Sequence, residues 1–284
     1  MKIRFALISG GTRGLGESLV NRFWHAGFSL IVTARKEDDI QKVLNGLPKR
    51  DDQKALAIPC DMGSPESIAE FINRVKWACP QLTVLVNNAA MQGPIGPLSE
   101  NNFFVWQQAL QVNLLAPVAL CQGLIPLMTT SCGGSIINLS GGGATGPRAN
   151  FSAYATAKAG LVRFSETIAE ELRPTGIRVN CIAPGAMKTD MLAEVLSKAH
   201  EAGEKEHSMA SKVFEEGGAS MERVADLALF LASDASKGIT GKLISAVWDD
   251  WEHWPEHLSE LSNSDAYTLR RITGRDRGFT WGDK

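Results

Sequence analysis

The chain has 284 residues, with 29 Lys and Arg against 31 Asp and Glu, and a formal net charge of -2 at pH 7. Its 44% hydrophobic and 21% charged residues are close to globular averages, which argues against a disordered, collagen-like or coiled-coil chain. No Lys/Arg-rich run suggests nucleic-acid binding. The scattered cysteines form no CxxC motif, so we expect no zinc site, no disulfide framework and a reducing compartment; they are Cys60, Cys79, Cys121, Cys132 and Cys181.

The chain start carries no targeting signal that we can identify. Its apolar run is interrupted by Arg4 and ends before Ser9, which is too short for the core of a signal peptide. No unbroken stretch of about 18 apolar residues follows, so we expect no membrane-spanning segment. These observations predict a soluble, cytoplasmic protein.

Short apolar runs alternate with longer segments of helical periodicity along most of the chain. Strands are predicted at residues 3–9, 29–33, 55–58, 84–86, 135–139, 178–182 and 243–247. Helices are predicted at residues 15–26, 40–47, 65–78, 102–128, about 152–173 and 222–232. This alternation predicts an α/β fold with a doubly wound parallel sheet of about seven strands and helices on both faces. Residues 189–217 are interpreted as a mobile helical lid within a single domain, residues 1–247.

The first predicted strand leads into a glycine-rich turn and then a helix. The turn reads Ser9-Gly10-Gly11-Thr12-Arg13-Gly14-Leu15-Gly16. Glycines at such a turn let the backbone approach a pyrophosphate, and the helix N-terminus supplies free N–H groups. The strand–turn–helix context therefore predicts a dinucleotide site, with a plain glycine-rich turn as the alternative.

The second predicted strand ends without a carboxylate. It reads Val32-Thr33-Ala34-Arg35-Lys36, whereas an acidic side chain here would favour NAD by accepting hydrogen bonds from the ribose. Two cations near the position of a 2′-phosphate favour NADP, and Arg13 in the glycine loop indicates the same. The alternative is that Arg35 and Lys36 belong to an ordinary solvated loop.

Tyr154 and Lys158 are four residues apart on a predicted helix and share one face. An ammonium beside a phenol stabilises the phenolate and lowers the pKa from its usual value of about 10. The tyrosine could then protonate a carbonyl that is receiving a hydride. Since the chain has only two tyrosines, this pairing is not one of many.

Together these motifs resemble the compact single-domain branch of the short-chain dehydrogenase/reductase family. The likeness covers about residues 3–247 and includes the glycine loop, Asp61, Asn87-Asn88-Ala89-Ala90, Asn113, Tyr154 with Lys158, and Pro184-Gly185 with Thr189. It implies a Rossmann fold and an NADP-dependent oxidoreductase that acts on a small carbonyl or alcohol. It also implies a homodimer or homotetramer, paired through the long helix and the Tyr154 helix.

The resemblance also implies which residues are catalytic and which bind the cofactor. The catalytic residues would be Asn113, Ser140, Tyr154 and Lys158. The cofactor-binding residues would be Gly10, Thr12, Arg13, Gly14, Leu15, Gly16, Arg35, Asp61, Met62, Asn87, Ala89, Tyr154, Lys158, Pro184, Gly185 and Thr189. Asp61 and Met62 would flank the adenine, whereas Pro184, Gly185 and Thr189 would bracket the nicotinamide. Lys158 would bind the nicotinamide ribose, and Asn113 would hold a water that relays protons to it. No metal is expected.

One family position does not match. The family serine that orients the substrate carbonyl lies 13 residues before the tyrosine, which here is Gly141. Ser140 is one residue too early, and strand alternation would aim it differently. The glycine run could shift the backbone so that Ser140 serves, or glycine N–H groups could polarise the carbonyl. A non-catalytic dinucleotide-binding regulatory or scaffold protein is the alternative to an enzyme.

Residues 248–284 extend beyond the part of the chain that carries the resemblance. Trp248, Trp251 and Trp254 are spaced three residues apart, which predicts a buried apolar stripe on the same domain, on a partner subunit or at the substrate cleft. A packing tail without function is the alternative. Arg270 and Arg271 could pair with upstream acids or meet an anionic substrate. His253 and His257 flank Pro255 and indicate a solvated turn.

Overall fold

The computed structural model describes residues 4–79, 81–129 and 133–281. The strands are β1 (Phe5–Ser9), β2 (Ser29–Thr33), β3 (Ala55–Ala57), β4 (Leu82–Asn87), β5 (Gly134–Leu139), β6 (Ile177–Ala183) and β7 (Leu243–Ser245). The α-helices are α1 (Gly14–His25), α2 (Glu37–Asn45), α3 (Pro65–Ala78), α4 (Phe103–Leu110), α5 (Ala116–Thr129), α6 (Ser152–Glu171), α7 (Asp190–Ser197), α8 (Ala199–Ala202), α9 (Glu204–Glu216), α10 (Met221–Ala232) and α11 (Leu258–Ser262). Residue 3 of the first predicted strand and Cys132 lie outside the described residues.

The strands form one parallel sheet in the order β3-β2-β1-β4-β5-β6-β7. This confirms the predicted doubly wound α/β fold. The strand order reverses between β1 and β4, so the loops that follow these two strands diverge and leave a crevice at the carboxyl edge of the sheet. Ligands of open α/β sheets bind at such a crevice.

The strands are apolar on both faces because helices cover both sides of the sheet. Alternate residues of β1 show this: Ala6 and Ile8 belong to one core cluster, whereas Phe5 and Leu7 belong to the other. The first cluster is closed by side chains of α1 and α10, and the second by side chains of α3, α5 and α6. The sheet is therefore a rigid platform for the loops at its carboxyl edge.

The predicted long helix is continuous from Phe103 to Thr129 but contains a π-helical turn, Gln111–Leu115. By length and composition alone this helix could cross a membrane, because its most apolar 18-residue stretch has a mean hydropathy of 1.6, but the core helix of an α/β protein meets the same criterion. In the fold, its second half packs on the sheet through Leu120, Leu124 and Met128. The helix is one layer of the α/β core.

The lid segment predicted from residue 189 is helical in the structure and consists of α7, α8 and α9. Val195, Ala202 and Ala210 from these helices pack on Ile95 and Phe151 in a separate small cluster. Phe151 immediately precedes α6, the helix that carries Tyr154. The lid is thus seated next to the start of the Tyr154 helix.

The three tryptophans after β7 have different environments. Trp251 and Trp254 are buried in the main core cluster of the same chain, whereas Trp248 is 85% exposed in the single chain. The burial of Trp248 on a partner subunit stays a prediction. Trp251 and Trp254 lie on a 3-10 helix, Trp251–His257, which has three residues per turn rather than 3.6, and Trp248 precedes it. Further on, the carbonyl of Tyr267 accepts a hydrogen bond from the Leu243 N–H at the outer edge of β7.

The charged residues of this C-terminal segment pair locally. Arg270 lies 3.0 Å from Asp265, an acid upstream of it, and 2.9 Å from Asp276, which is downstream. His253 is exposed and lies 2.9 Å from Asp250. Among the residues that the structure describes, no cluster of three or more His, Cys, Asp or Glu side chains could hold a metal ion.

Candidate functional site

The glycine loop after β1 can be built only with glycine at three positions. Gly10 and Gly14 have left-handed φ angles of 64° and 53°, and a Cβ on Gly16 would overlap the Gly10 carbonyl oxygen. The loop is fixed to β2 because the Gly10 and Gly11 N–H groups donate to the Thr33 carbonyl at 2.8 and 3.3 Å. Thr12 and Arg13 are at the loop surface and Leu15 is buried in the core. The N-terminus of α1 consequently faces the crevice with a bare backbone.

Asn88 holds this loop from the neighbouring strand, a role that the motif reading did not assign to it. Its Nδ2 donates to the carbonyls of Ser9 and Gly10 at 2.9 and 3.1 Å. In return, the Asn88 and Ala89 N–H groups donate to Ser9 Oγ at 3.0 and 3.1 Å. Ala89 is therefore placed against Gly10, and a Cβ added to Gly10 would lie only 2.9 Å from the Ala89 Cα.

The end of β2 offers a buried hydroxyl followed by two exposed cations. Thr33 is fully buried, and its Oγ1 has no hydrogen-bond partner in the described chain. Arg35 and Lys36 are exposed beyond it. Arg13 instead reaches across the crevice to Asp190, the first residue of α7, with 2.8 Å between Nη1 and Oδ2. The sequence did not indicate this pair because its members are 177 residues apart.

Asp61 and Met62 follow β3 at the same edge of the sheet. The Asp61 carboxylate is exposed and accepts a hydrogen bond from the Gly63 N–H at 2.9 Å, whereas Met62 is buried. The Cys60 N–H donates to the Ala34 carbonyl at 2.9 Å, which holds this turn beside the end of β2. The two residues thus border the same end of the crevice as Thr33 and Arg35.

Asn87 and Asn113 are both buried, and both are engaged with the protein. Asn87 Nδ2 donates to Asn138 Oδ1 at 2.7 Å, which joins β4 to β5. Asn113, in the π-helical turn, accepts from the Met91 N–H at 3.1 Å and donates to the Met91 carbonyl at 2.8 Å. The amide of Asn113 therefore fixes the loop after β4 against the long helix.

Tyr154 and Lys158 occupy one face of α6, as their spacing predicts, and both are buried. Lys158 Nζ donates to the Leu139 carbonyl at 2.7 Å and lies 5.6 Å from the centre of the Tyr154 ring. Burial lowers the pKa of Lys158 to about 8, and burial raises the pKa of Tyr154. The positive charge of Arg148 opposes this rise, but the pKa of Tyr154 remains raised, whereas the sequence predicted a lowered pKa.

Gly141 lies directly against the reactive end of Tyr154. A Cβ on Gly141 would overlap the Tyr154 hydroxyl oxygen. Ser140 is buried in the preceding position; its backbone N–H donates to the Ile182 carbonyl at 2.8 Å, and its Oγ has no partner among the described residues. The structure brings Gly141, rather than Ser140, into contact with the tyrosine.

The loop after β6 closes the other side of the crevice. Pro184 is buried, and Gly185 has a φ of 80° and lies against Val247, whose Cγ2 would be 2.8 Å from a Cβ at this position. Thr189 caps α7, with Oγ1 accepting from the Leu192 N–H at 3.4 Å. A Cβ on Gly14 would lie 3.8 Å from Thr189 Cγ2, so this threonine faces the glycine loop.

Arg148 and Glu206 are site residues that the sequence interpretation missed. Arg148 lies in the loop between β5 and α6, and its Nη2 is 2.8 Å from Glu206 Oε2 on the lid helix α9. Its guanidinium carbon is 5.9 Å from the centre of the Tyr154 ring. Neither residue is part of a local motif, and 58 positions separate them, so only the folded chain reveals the pair.

These residues fit a dinucleotide cofactor. The bare glycine loop at the start of α1 suits a pyrophosphate, and the buried Thr33 hydroxyl without a partner lies where β2 ends. At the other end of the crevice, a buried phenol and a buried ammonium share one helix face. A proton donor and a cation beside a dinucleotide crevice can serve hydride transfer to or from a carbonyl carbon.

Comparisons with known proteins agree with this chemistry. The family model for short chain dehydrogenases matches residues 4–200. A 3-oxoacyl-[acyl-carrier-protein] reductase of Aquifex aeolicus is 30% identical over 248 residues, which are 85% of this chain and 94% of that protein. The human dehydrogenase/reductase SDR family member 4 is 28% identical over 241 residues, 85% of each chain.

Solved structures show the same fold. The NADPH-dependent reductase YwfH, involved in bacilysin biosynthesis, superposes with a TM-score of 0.76 at 26% identity, over 86% of this chain and 97% of that chain. A short chain dehydrogenase from Shigella flexneri, complexed with NADP, gives a TM-score of 0.74 at 26% identity, over 86% and 96% of the two chains. The match of the family model to more than half of the sequence shows that the chain belongs to the short-chain dehydrogenase/reductase family, whose members are NAD(P)-dependent oxidoreductases.

Proposed function

We propose that the protein is an NADP-dependent oxidoreductase that reduces a small carbonyl compound, or oxidises the matching secondary alcohol, with Tyr154 as the proton donor. The observation that carries this proposal is the buried pair of Tyr154 and Lys158 on one face of α6, beside the glycine loop. Burying a charge is costly, and placing a buried ammonium next to a buried phenol supports a role in proton transfer rather than in binding alone.

Bound NADPH would supply the hydride, and the chain supplies the remaining parts. Gly10, Gly14 and Gly16 leave room for the phosphates, while Pro184, Gly185 and Thr189 border the nicotinamide end. Tyr154 protonates the substrate oxygen and becomes a phenolate. Lys158, whose pKa is about 8, is mostly charged at pH 7 and stabilises that phenolate.

Replacing Tyr154 by Phe tests the assignment directly. Because a positioned general acid contributes roughly 10²–10⁴-fold, we expect Tyr154→Phe to lower kcat by at least about 100-fold. The affinity for NADPH should change by less than about threefold, because the phenyl ring keeps the packing. The measurement is NADPH oxidation with a panel of aldehydes, ketones and oxo acids, together with a fluorescence titration of the cofactor.

The chain offers a matched control in its only other tyrosine. Tyr267 is partly exposed on the C-terminal segment, so Tyr267→Phe should leave both kcat and cofactor affinity unchanged. Turnover of Tyr154→Phe within a few-fold of the parent enzyme would remove Tyr154 from its role. NADPH binding without oxidation of any substrate in the panel would favour the regulatory or scaffold protein instead.

The preference for NADP is supported by the end of β2, which has Thr33 in place of a carboxylate, followed by Arg35 and Lys36. A charge-assisted hydrogen bond contributes about 1.5–3 kcal/mol, so Arg35→Ala should weaken NADP binding by about 10- to 100-fold and leave NAD binding unchanged. Lys42→Ala, an exposed cation on α2, is the matched control. Equal dissociation constants for NADP and NAD at one salt concentration would contradict the preference.

We further propose that the enzyme works in the cytoplasm as a homodimer or homotetramer, acts on small molecules and needs neither nucleic acid, membrane nor metal. Four described cysteines are buried and unpaired, which suits a reducing compartment. Phe103, Phe104 and Leu115 are exposed on the long helix, which suits a subunit contact.

A further inference from the structure

Arg148 places a positive charge between the lid and the reactive tyrosine. Its guanidinium carbon lies 3.8 Å from the centre of the Phe151 ring and 5.9 Å from that of Tyr154. The side chain is only 15% exposed. A guanidinium remains charged in such surroundings, and a charge taken out of water needs an anionic partner.

That partner is a carboxylate that belongs to the lid. Glu206 on α9 is 14% exposed, and its Oε2 lies 2.8 Å from Arg148 Nη2. Within the described residues this is the only hydrogen bond that the guanidinium makes. Since an arginine carries five N–H donors and can bind a carboxylate with two of them at once, one edge of Arg148 remains for a second acceptor.

The space next to the guanidinium is bare of side chains on the side of the β5 loop. A Cβ on Gly142 would lie 3.7 Å from Arg148 Nη1, and Gly141 lies against the Tyr154 hydroxyl. The loop therefore presents only backbone along the path from Tyr154 to Arg148. In the proposed reaction, a group next to the substrate carbonyl could reach Arg148 along this path.

We infer that Arg148 is a specificity-determining residue that binds the carboxylate of a short oxo acid, or of the matching hydroxy acid, and that Glu206 competes with this carboxylate for the guanidinium. The inference rests on the proposed function and deepens it by naming the substrate class.

The two members of the pair should have opposite effects on selectivity. Arg148→Gln removes the charge-assisted contact to the acid, so kcat/KM for oxo acids should fall by about 10- to 100-fold more than kcat/KM for their neutral methyl esters. The esters should lose only the effect of the Arg148 charge on Tyr154. Glu206→Gln removes the competing carboxylate, so kcat/KM for the acids should rise relative to the esters. A purely structural ion pair would instead give the same loss for acids and esters in both variants.

The experiment compares short 2-oxo and 3-oxo acids with their methyl esters as substrates of the full-length protein with NADPH. Lys212→Gln is the control, because Lys212 lies on the same lid helix and pairs with Glu216 in an exposed position. Arg148→Lys keeps a point charge without the planar fork, so its acid-to-ester ratio should lie between those of the parent and Arg148→Gln. Parallel losses for acids and esters in Arg148→Gln, or a parent enzyme without preference for acids, would overturn the inference.

Calorimetric titration of the NADP-saturated protein with the oxo acids separates this inference from the proposed reaction. Acid binding that depends on Arg148, without turnover, would uphold the carboxylate site and refute the reductase. Turnover of neutral carbonyls together with undetectable acid binding would uphold the reductase and refute the carboxylate site. Absence of both acid binding and turnover would refute both.

Discussion

At the scale of single residues, Gly141 determines what Tyr154 can contact. The tyrosine hydroxyl occupies the place that a side chain on residue 141 would fill. The Oγ of Ser140 is buried without a partner in the described chain and makes no hydrogen bond to the tyrosine. Because no side chain of this loop donates a hydrogen bond to Tyr154, the proposed function assigns the donation to the substrate oxygen to the tyrosine.

Substitutions at these two neighbours should therefore differ in their effect on turnover. Gly141→Ala forces the new methyl group against the tyrosine hydroxyl. We expect kcat to fall by about 100-fold, because displacing a catalytic group by about 1 Å lowers the rate by about that factor. Ser140→Ala should change kcat by only a few-fold, and stability should be unchanged or slightly higher because an unpaired buried hydroxyl is removed. Steady-state kinetics and urea unfolding measure both effects.

Gly146 provides the matched control for Gly141. It lies in the same loop, but no atom lies within 4 Å of a Cβ built there, so Gly146→Ala should leave kcat unchanged. If Ser140→Ala loses as much activity as Tyr154→Phe, the glycine run re-aims Ser140 into the site. Full activity of Gly141→Ala would mean that Tyr154 has room to move.

At the scale of helices and strands, local signals in the sequence were sufficient for most elements. The β2 strand has the predicted bounds, and so does the helix predicted at residues 65–78. Local residues fix the start of that helix, because Ser64 Oγ accepts a hydrogen bond from the Ser67 N–H at 3.1 Å and Pro65 occupies the first turn. Such signals are read from neighbouring residues, and the same holds for the glycine loop and for the Tyr154 and Lys158 pair. The family and the fold that these local signals predicted are both confirmed.

The features that could not be predicted depend on contacts between distant segments. The π-helical turn in the long helix carries Asn113, which bonds to the backbone of Met91 in another loop. The lid anchors likewise join distant residues: Arg13 bonds to Asp190, and Arg148 to Glu206. No periodicity or spacing encodes such pairs, because each partner becomes a neighbour only when the sheet has brought its loops to one edge.

At the scale of the whole molecule, the segment after β7 is part of the fold that carries the site. Trp251 packs on Phe230 of α10, with ring centres 5.2 Å apart, and Trp254 packs on Tyr267 at 4.3 Å. Leu269 lies in a small cluster with Ala144, which follows the glycine run of the active-site loop. We therefore propose that residues 248–269 belong to the same domain rather than to a separable extension.

Substitutions of two of these tryptophans, one buried and one exposed, test this proposal. Trp251 is 3% exposed and lies in the main core cluster, so Trp251→Ala should lower the free energy of unfolding by about 3–5 kcal/mol, as is usual for a large aromatic removed from a core. Trp248→Ala is the matched control, because Trp248 is three residues away and 85% exposed. This substitution should change the free energy of unfolding by less than about 0.5 kcal/mol. Urea unfolding followed by circular dichroism gives both values.

Equal, small effects of the two substitutions would show that the segment is dispensable for the fold. A large loss with Trp251→Ala would mean instead that a chain truncated after Val247 cannot fold. The inactivity of such a truncated chain, or its failure to form subunit contacts, would then say nothing specific about the substrate cleft or the subunit interface.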